Sequence, residues 1–146
     1  MLKRMKINVS SSIQNLDEFG LADGDVEVSE ESAVCTYRMD GETVSVSYKT
    51  STEGGSVSTG YRLFDNSLSV TRSGAINSMM VFKEGETHSS VYEIPPFKFD
   101  MTVTAKRLDH ALSESGGKID LLYEMNVGEA VKLCKMKIRI LEESEV

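Results

Sequence analysis

The chain has 146 residues, enough for one domain over 1–146 whose core needs no disulfide or metal staple. Apolar residues make up 40% and charged residues 27%, the balance of an ordinary globular protein. Lys and Arg total 16 against 23 Asp and Glu, and the formal charge of −7 disfavours a nucleic-acid partner, because phosphate contacts need clustered cations.

The chain is read by period-two alternation, the signature of a strand with one buried face. Met1 to Lys6 is basic, but Asn8, Ser10, Ser11 and Ser12 interrupt any apolar signal core. Ile7, Val9 and Ile13 share one face of the first strand, with Lys6, Asn8 and Ser12 on the other. Gln14 to Gly24 reads as a loop with at most a helical turn. Val26 and Val28 restart a strand that Glu30-Glu31-Ser32 is expected to break. Asp17, Glu18, Asp23, Asp25, Glu27, Glu30 and Glu31 fall in a stretch without a basic residue, expected as a solvated acidic loop and edge. The sharper alternative is a site for a cation or a basic partner.

Ala33, Cys35, Tyr37 and Met39 alternate into Asp40-Gly41, a strong hairpin signal, and Val44, Val46 and Tyr48 return. Glu53-Gly54-Gly55 turns into Val57, Thr59, Tyr61 and Leu63. Asp65-Asn66-Ser67 leads to Leu68, Val70 and Arg72, with a bulge or kink expected at Ser73-Gly74 before Ile76 to Lys83 continues. Glu84-Gly85 turns into Thr87 to Ile94, and Pro95-Pro96 forces a break because proline cannot donate to a ladder. Phe97, Phe99, Met101, Val103 and Ala105 form the clearest alternation. Asp109 to Gly117 reads as a polar loop, Ile119 to Met125 as a strand, Asn126-Val127-Gly128 as a turn, and Met136, Ile138 and Ile140 as the inner face of the last strand. The acidic tail Glu142 to Val146 is expected to fray.

These are nine or ten strands with short connections and no convincing helix, so sequence neighbours should pair antiparallel. The reading is an all-β protein, an up-and-down β-barrel that leaves no free edge, with a β-sandwich as the alternative. No run of about 18 apolar residues exists, so no membrane span is expected, and the simplest compartment is the cytoplasm.

Val70-Thr71-Arg72-Ser73-Gly74-Ala75-Ile76, followed by Met80, Phe82, Gly85, Tyr92, Pro95-Pro96, the Phe97-to-Ala105 strand and Gly117-Lys118-Ile119-Asp120-Leu121-Leu122-Tyr123, resembles the YwiB-like family. These are small uncharacterised bacterial proteins, a domain of unknown function in the calycin, or lipocalin-like, superfamily. The resemblance spans nearly the whole chain and is strongest from about Tyr61. It implies a closed lipocalin-like barrel and no particular activity. Lys98 and Tyr48-Lys49-Thr50 depart from the family pattern.

Candidate site residues follow from the inner faces. Arg72 continues the parity of Leu68 and Val70 and so points inward, where an arginine is costly unless paired. It either reaches the barrel mouth, pairs with Glu93, Glu124 or Asp100, or anchors an anionic head group in an apolar cavity. Tyr61, Tyr92 and Tyr123 can offer hydroxyls to a ligand or be satisfied core tyrosines. Met80, Met101, Met125 and Met136 would give a soft lining or ordinary core packing.

Catalysis finds little support. His88 sits in a polar strand and His110 beside Asp109 in a polar loop, where an exposed loop histidine is the expectation. No metal-ligand spacing and no phosphate-binding glycine loop is present, so no cofactor is expected. Cys35 and Cys134 read as small buried hydrophobes unless their strands are neighbours. A non-enzymatic barrel holding a small apolar or amphipathic ligand is the first expectation. A filled barrel that meets a partner or forms a homodimer is the second, hinted at by Leu108 and Leu122, and an enzyme is the third.

Overall fold

The computed structural model describes residues 2–143. Ten strands make up the fold: β1 (Leu2–Leu16), β2 (Glu27–Asp40), β3 (Thr43–Thr52), β4 (Gly55–Phe64), β5 (Ser67–Gly74), β6 (Asn77–Lys83), β7 (Thr87–Ile94), β8 (Phe97–Ser113), β9 (Gly116–Val127) and β10 (Ala130–Glu142). Each pairs antiparallel with its sequence neighbours, and β1 pairs with β10, so the meander closes on itself. Closure follows from the alternation. Every strand has one apolar face, and only a barrel buries all ten while leaving no strand edge open.

Inside, Met5, Ile7, Tyr37, Val46, Leu68, Val70, Phe82, Val103, Ile119, Ile138 and Ile140 are almost fully buried. Most outward positions between them are polar, as with Lys135, Lys137 and Arg139 on β10. Among the described residues no helix is long and apolar enough to cross a membrane.

Four expectations are corrected. Glu30-Glu31-Ser32 does not break β2, because its backbone groups pair with Ser10, Val9 and Asn8 of β1 and the ladder outweighs poor local propensity. Ser73-Gly74 is not a kink in one long strand. Gly74, at φ +116°, ends β5, and a two-residue turn brings β6 back antiparallel; a Cβ there would collide with the Ser56 carbonyl. Asp109 to Gly117 is not a loop, since β8 runs to Ser113 and pairs with β9 down to Gly116. A bulge at Ala105/Arg107 reverses the parity of β8 beyond it, and Glu84 accepts the Leu108 amide at 2.8 Å. Leu108 is therefore a core residue rather than an exposed apolar one.

The closed ladder also decides the cysteines. β1 lies between β2 and β10, and Cys35 pairs with Met5 while Cys134 pairs with Ile13, eight residues along the same strand. At about 3.3 Å per residue that separation rules out a bond. Both thiols are free and buried. Of the acidic tail, residues 144–146 lie outside the described residues, and Glu142 still pairs with Met5.

Candidate functional site

The two ends of the barrel differ. At one end β1, β3, β5, β7 and β9 begin, and the interior is filled: Met5, Tyr37, Leu63, Leu68, Phe82 and Ile140 meet there. Tyr37 donates its hydroxyl to the Ser113 carbonyl at 2.7 Å, and Gly116, at φ +95°, lets β9 pass against the Ile140 carbonyl where a Cβ would collide. At the other end the interior opens into a cavity of about 640 Å³. Ligand cavities run roughly 300–1,000 Å³.

Apolar side chains of the lining come from Ile13, Val57, Met80, Phe99, Met101, Met125 and Val127. Thr50, Thr59, Tyr92, Tyr123 and Cys134 supply polar atoms, and Glu31, Arg72 and Lys132 supply charge. Around the mouth stand exposed apolar side chains, including Phe19, Leu21, Ile94 and Phe97. Of the residues singled out from sequence, Arg72, Tyr92, Tyr123, Met80 and Met101 all border this cavity, as do Met125 and Met136. Tyr61 does not line it. Tyr61 is buried beneath, stacked on Tyr48 with ring centroids 6.0 Å apart.

Arg72 does not pair with Glu93, Glu124 or Asp100. Among the described residues no carboxylate comes within salt-bridge distance of it, and Glu124 is engaged by Lys106 at 3.7 Å on the outer face. The guanidinium lies beside the Tyr61 hydroxyl instead. Tyr48 donates its single proton to Glu31 Oε2 at 3.0 Å, so the 3.1 Å bond between the two tyrosine hydroxyls must run from Tyr61 to Tyr48. The oxygen of Tyr61 is then free to accept from Arg72. A directed chain thus runs from Tyr61 to Tyr48 to Glu31, with the charge of Arg72 beside its Tyr61 end.

Burial raises the pKa of Tyr48, reinforced by Tyr61 and Glu31. Burial also raises that of Tyr61, and the charge of Arg72 opposes the rise. Tyr123 is raised by burial and by the neighbouring Cys134 thiol, and the Cys134 thiol is itself raised by burial. Tyr123 packs on Phe82 with ring centroids 4.6 Å apart and marks the boundary between the filled and open halves.

Glu31 and Lys132 escaped the sequence reading. The expected break at Glu30-Glu31-Ser32 hides the inward parity of Glu31 on β2 and leaves it in the solvated acidic edge. Read as a continuous strand, Glu31, Ala33, Cys35 and Tyr37 share one face, which is the signal that finds it. The histidines lie elsewhere: His88 contacts Glu86 at 3.1 Å, and His110 contacts Asn66 at 3.0 Å while Asp109 is held by Arg107 at 2.6 Å.

A model of the domain of unknown function DUF1934 matches residues 12–140. The chain belongs to this family. It is 27% identical over 107 residues to the uncharacterized β-barrel protein YwiB of Bacillus subtilis (strain 168), covering 73% of this chain and 75% of that protein. Its fold is similar to the crystal structure of the ywiB protein from Bacillus subtilis, with a TM-score of 0.76 at 22% identity over 98% of this chain and 96% of that one. This DUF1934 barrel therefore shares the ten-strand closed architecture with a relative across almost its full length.

Proposed function

We propose that this protein is a binding protein that holds a small amphipathic molecule in the open half of its barrel. The observation that carries the reading is the cavity of about 640 Å³, whose walls combine methionine, aliphatic and aromatic side chains with polar groups from several strands, Arg72 among them. The methionines on the wall suit a ligand of variable shape, and the apolar rim suits the passage of a hydrocarbon portion. A binding role is favoured over a catalytic one because both histidines lie outside the cavity.

Native mass spectrometry of protein purified without refolding, set against the denatured mass, tests the reading. A co-purifying small molecule is expected, and it should be absent from a Met125→Trp variant that fills the cavity. A clean apo mass, together with no binding of a hydrophobic dye to the wild type, would overturn it.

A second reading rests on an outer groove of about 810 Å³ where β6 and β7 pair only at Asn77–Glu93 and Ser78–Tyr92 and then diverge. Exposed Met79 and Val91 border it, a surface that a partner or a second copy could cover. A dimer mass in the same spectrum would move attention there.

A further inference from the structure

One cross-strand row on the inner face runs Tyr48, Thr59, Arg72, Ser78, Tyr92, Phe99, each directly opposite the next across β3 to β8. This row carries a guanidinium flanked by two small hydroxyl residues. Thr59 and Ser78 are 3% and 7% exposed. Among the described residues, the hydroxyl of Ser78 is the buried side-chain polar atom without a hydrogen-bond partner. A buried group left unpaired is costly, and such orphans are few in native proteins.

The guanidinium beside it has a neutral phenol on one side and cavity on the other. Glu31 does not neutralise it directly, since two tyrosine hydroxyls stand between them. A cation held in a mostly apolar wall without an acid, next to an unspent donor, is incomplete as protein chemistry and complete as half of a recognition site.

We propose that Arg72 and Ser78 form an oxyanion subsite that takes the carboxylate of a single-tailed amphiphile whose chain lies along Met80, Met101 and Met125. The proposal rests on the cavity reading above. The planar fork of Arg72 matches a carboxylate in two parallel hydrogen bonds, and the hydroxyl of Ser78 supplies a further donor from the adjacent strand. One guanidinium balances one negative charge, and Glu31 near the mouth opposes a second.

Decanoate and decanol, which share a chain and differ in charge, are the probes, titrated by calorimetry into the full chain. Decanoate is expected to bind at least about 10-fold more tightly than decanol, the worth of a charge-assisted hydrogen bond. Arg72→Met should bring the two within about 2-fold of each other, and Ser78→Ala should weaken decanoate several-fold while leaving decanol unchanged. Arg72→Lys, which keeps the charge and loses the fork, should recover only part of the preference. Equal binding of the two probes by the wild type would overturn the subsite and leave the cavity reading standing. Binding of neither would overturn both. Undiminished decanoate preference in Arg72→Met would place the anion elsewhere, with Lys132 the next cation on the wall.

Discussion

The two halves of the barrel are built from the same strands and do opposite things. Toward one end, Met5, Tyr37, Leu68, Phe82 and Ile140 fill the interior with large side chains. Toward the other, the same strands place Thr50, Thr59, Arg72 and Ser29 beside Met80, Met101 and Met125, around a space that these side chains do not fill. The filled half ends at the Phe82–Tyr123 contact, beyond which the inner side chains line a space instead of meeting across the axis. Stability and recognition are thereby divided along the axis rather than between separate domains.

The sharpest way to break the comparison is to remove equivalent bulk from each half. Phe82→Ala, deep in the filled half at 0% exposure, should cost about 3–5 kcal/mol, because little around it can collapse. Met101→Ala, which already borders empty space, should cost about 2 kcal/mol, near the lower end for such truncations. Chemical denaturation of both variants measures the gap, and equal losses would mean that the open half is as tightly packed as the closed one.

Alkaline unfolding is the second probe. Tyr48, Tyr61 and Tyr123 have folded-state pKa values above the ordinary tyrosine value near 10, as does Tyr37 at the filled end. A pKa raised by folding means that the neutral form is the one the fold accepts. Its contribution is fully present below pH ~10 and is lost as pH rises beyond that, by about 1.4 kcal/mol per pH unit for each such tyrosine. Tyrosinate absorbance should therefore appear together with unfolding for these residues. In Tyr48→Phe the stability slope above pH ~10 should be shallower by about one tyrosine's share. Tyrosinate formation in a still-folded barrel would show that the phenols reach solvent.

The smallest expected effect distinguishes the two thiols. Both are raised by burial and should react slowly with an alkylating reagent near neutral pH. Cys134 borders the cavity and Cys35 does not, so Cys134 should be modified first, and saturating decanoate should slow it several-fold. Equal rates at both would imply reaction through global unfolding. Peptide mapping by mass spectrometry reads the order.

Much of this architecture was legible in the residues. Alternation over Phe97 to Ala105, the Asp40-Gly41 turn and the short connections are enough for an antiparallel meander, which a closed barrel completes without a free edge. Arg72 could be nominated from parity alone, because Leu68, Val70 and Arg72 share a face whatever the strands do in space. Local rules failed where the ladder overrode them. Glu30-Glu31-Ser32 has poor strand propensity yet is held by β1, and Asp109 to Gly117 is polar yet paired to β9.

What only the tertiary structure decided is which inner residues share a level. Strand stagger sets Arg72 opposite Thr59 and Ser78, joins Tyr61 and Tyr48 to Glu31 on a strand earlier in the chain, and leaves Tyr61 below the cavity floor. The period of two determines which side of the sheet a residue faces. Its height along the barrel depends on the register of every strand between, and no single strand carries that information.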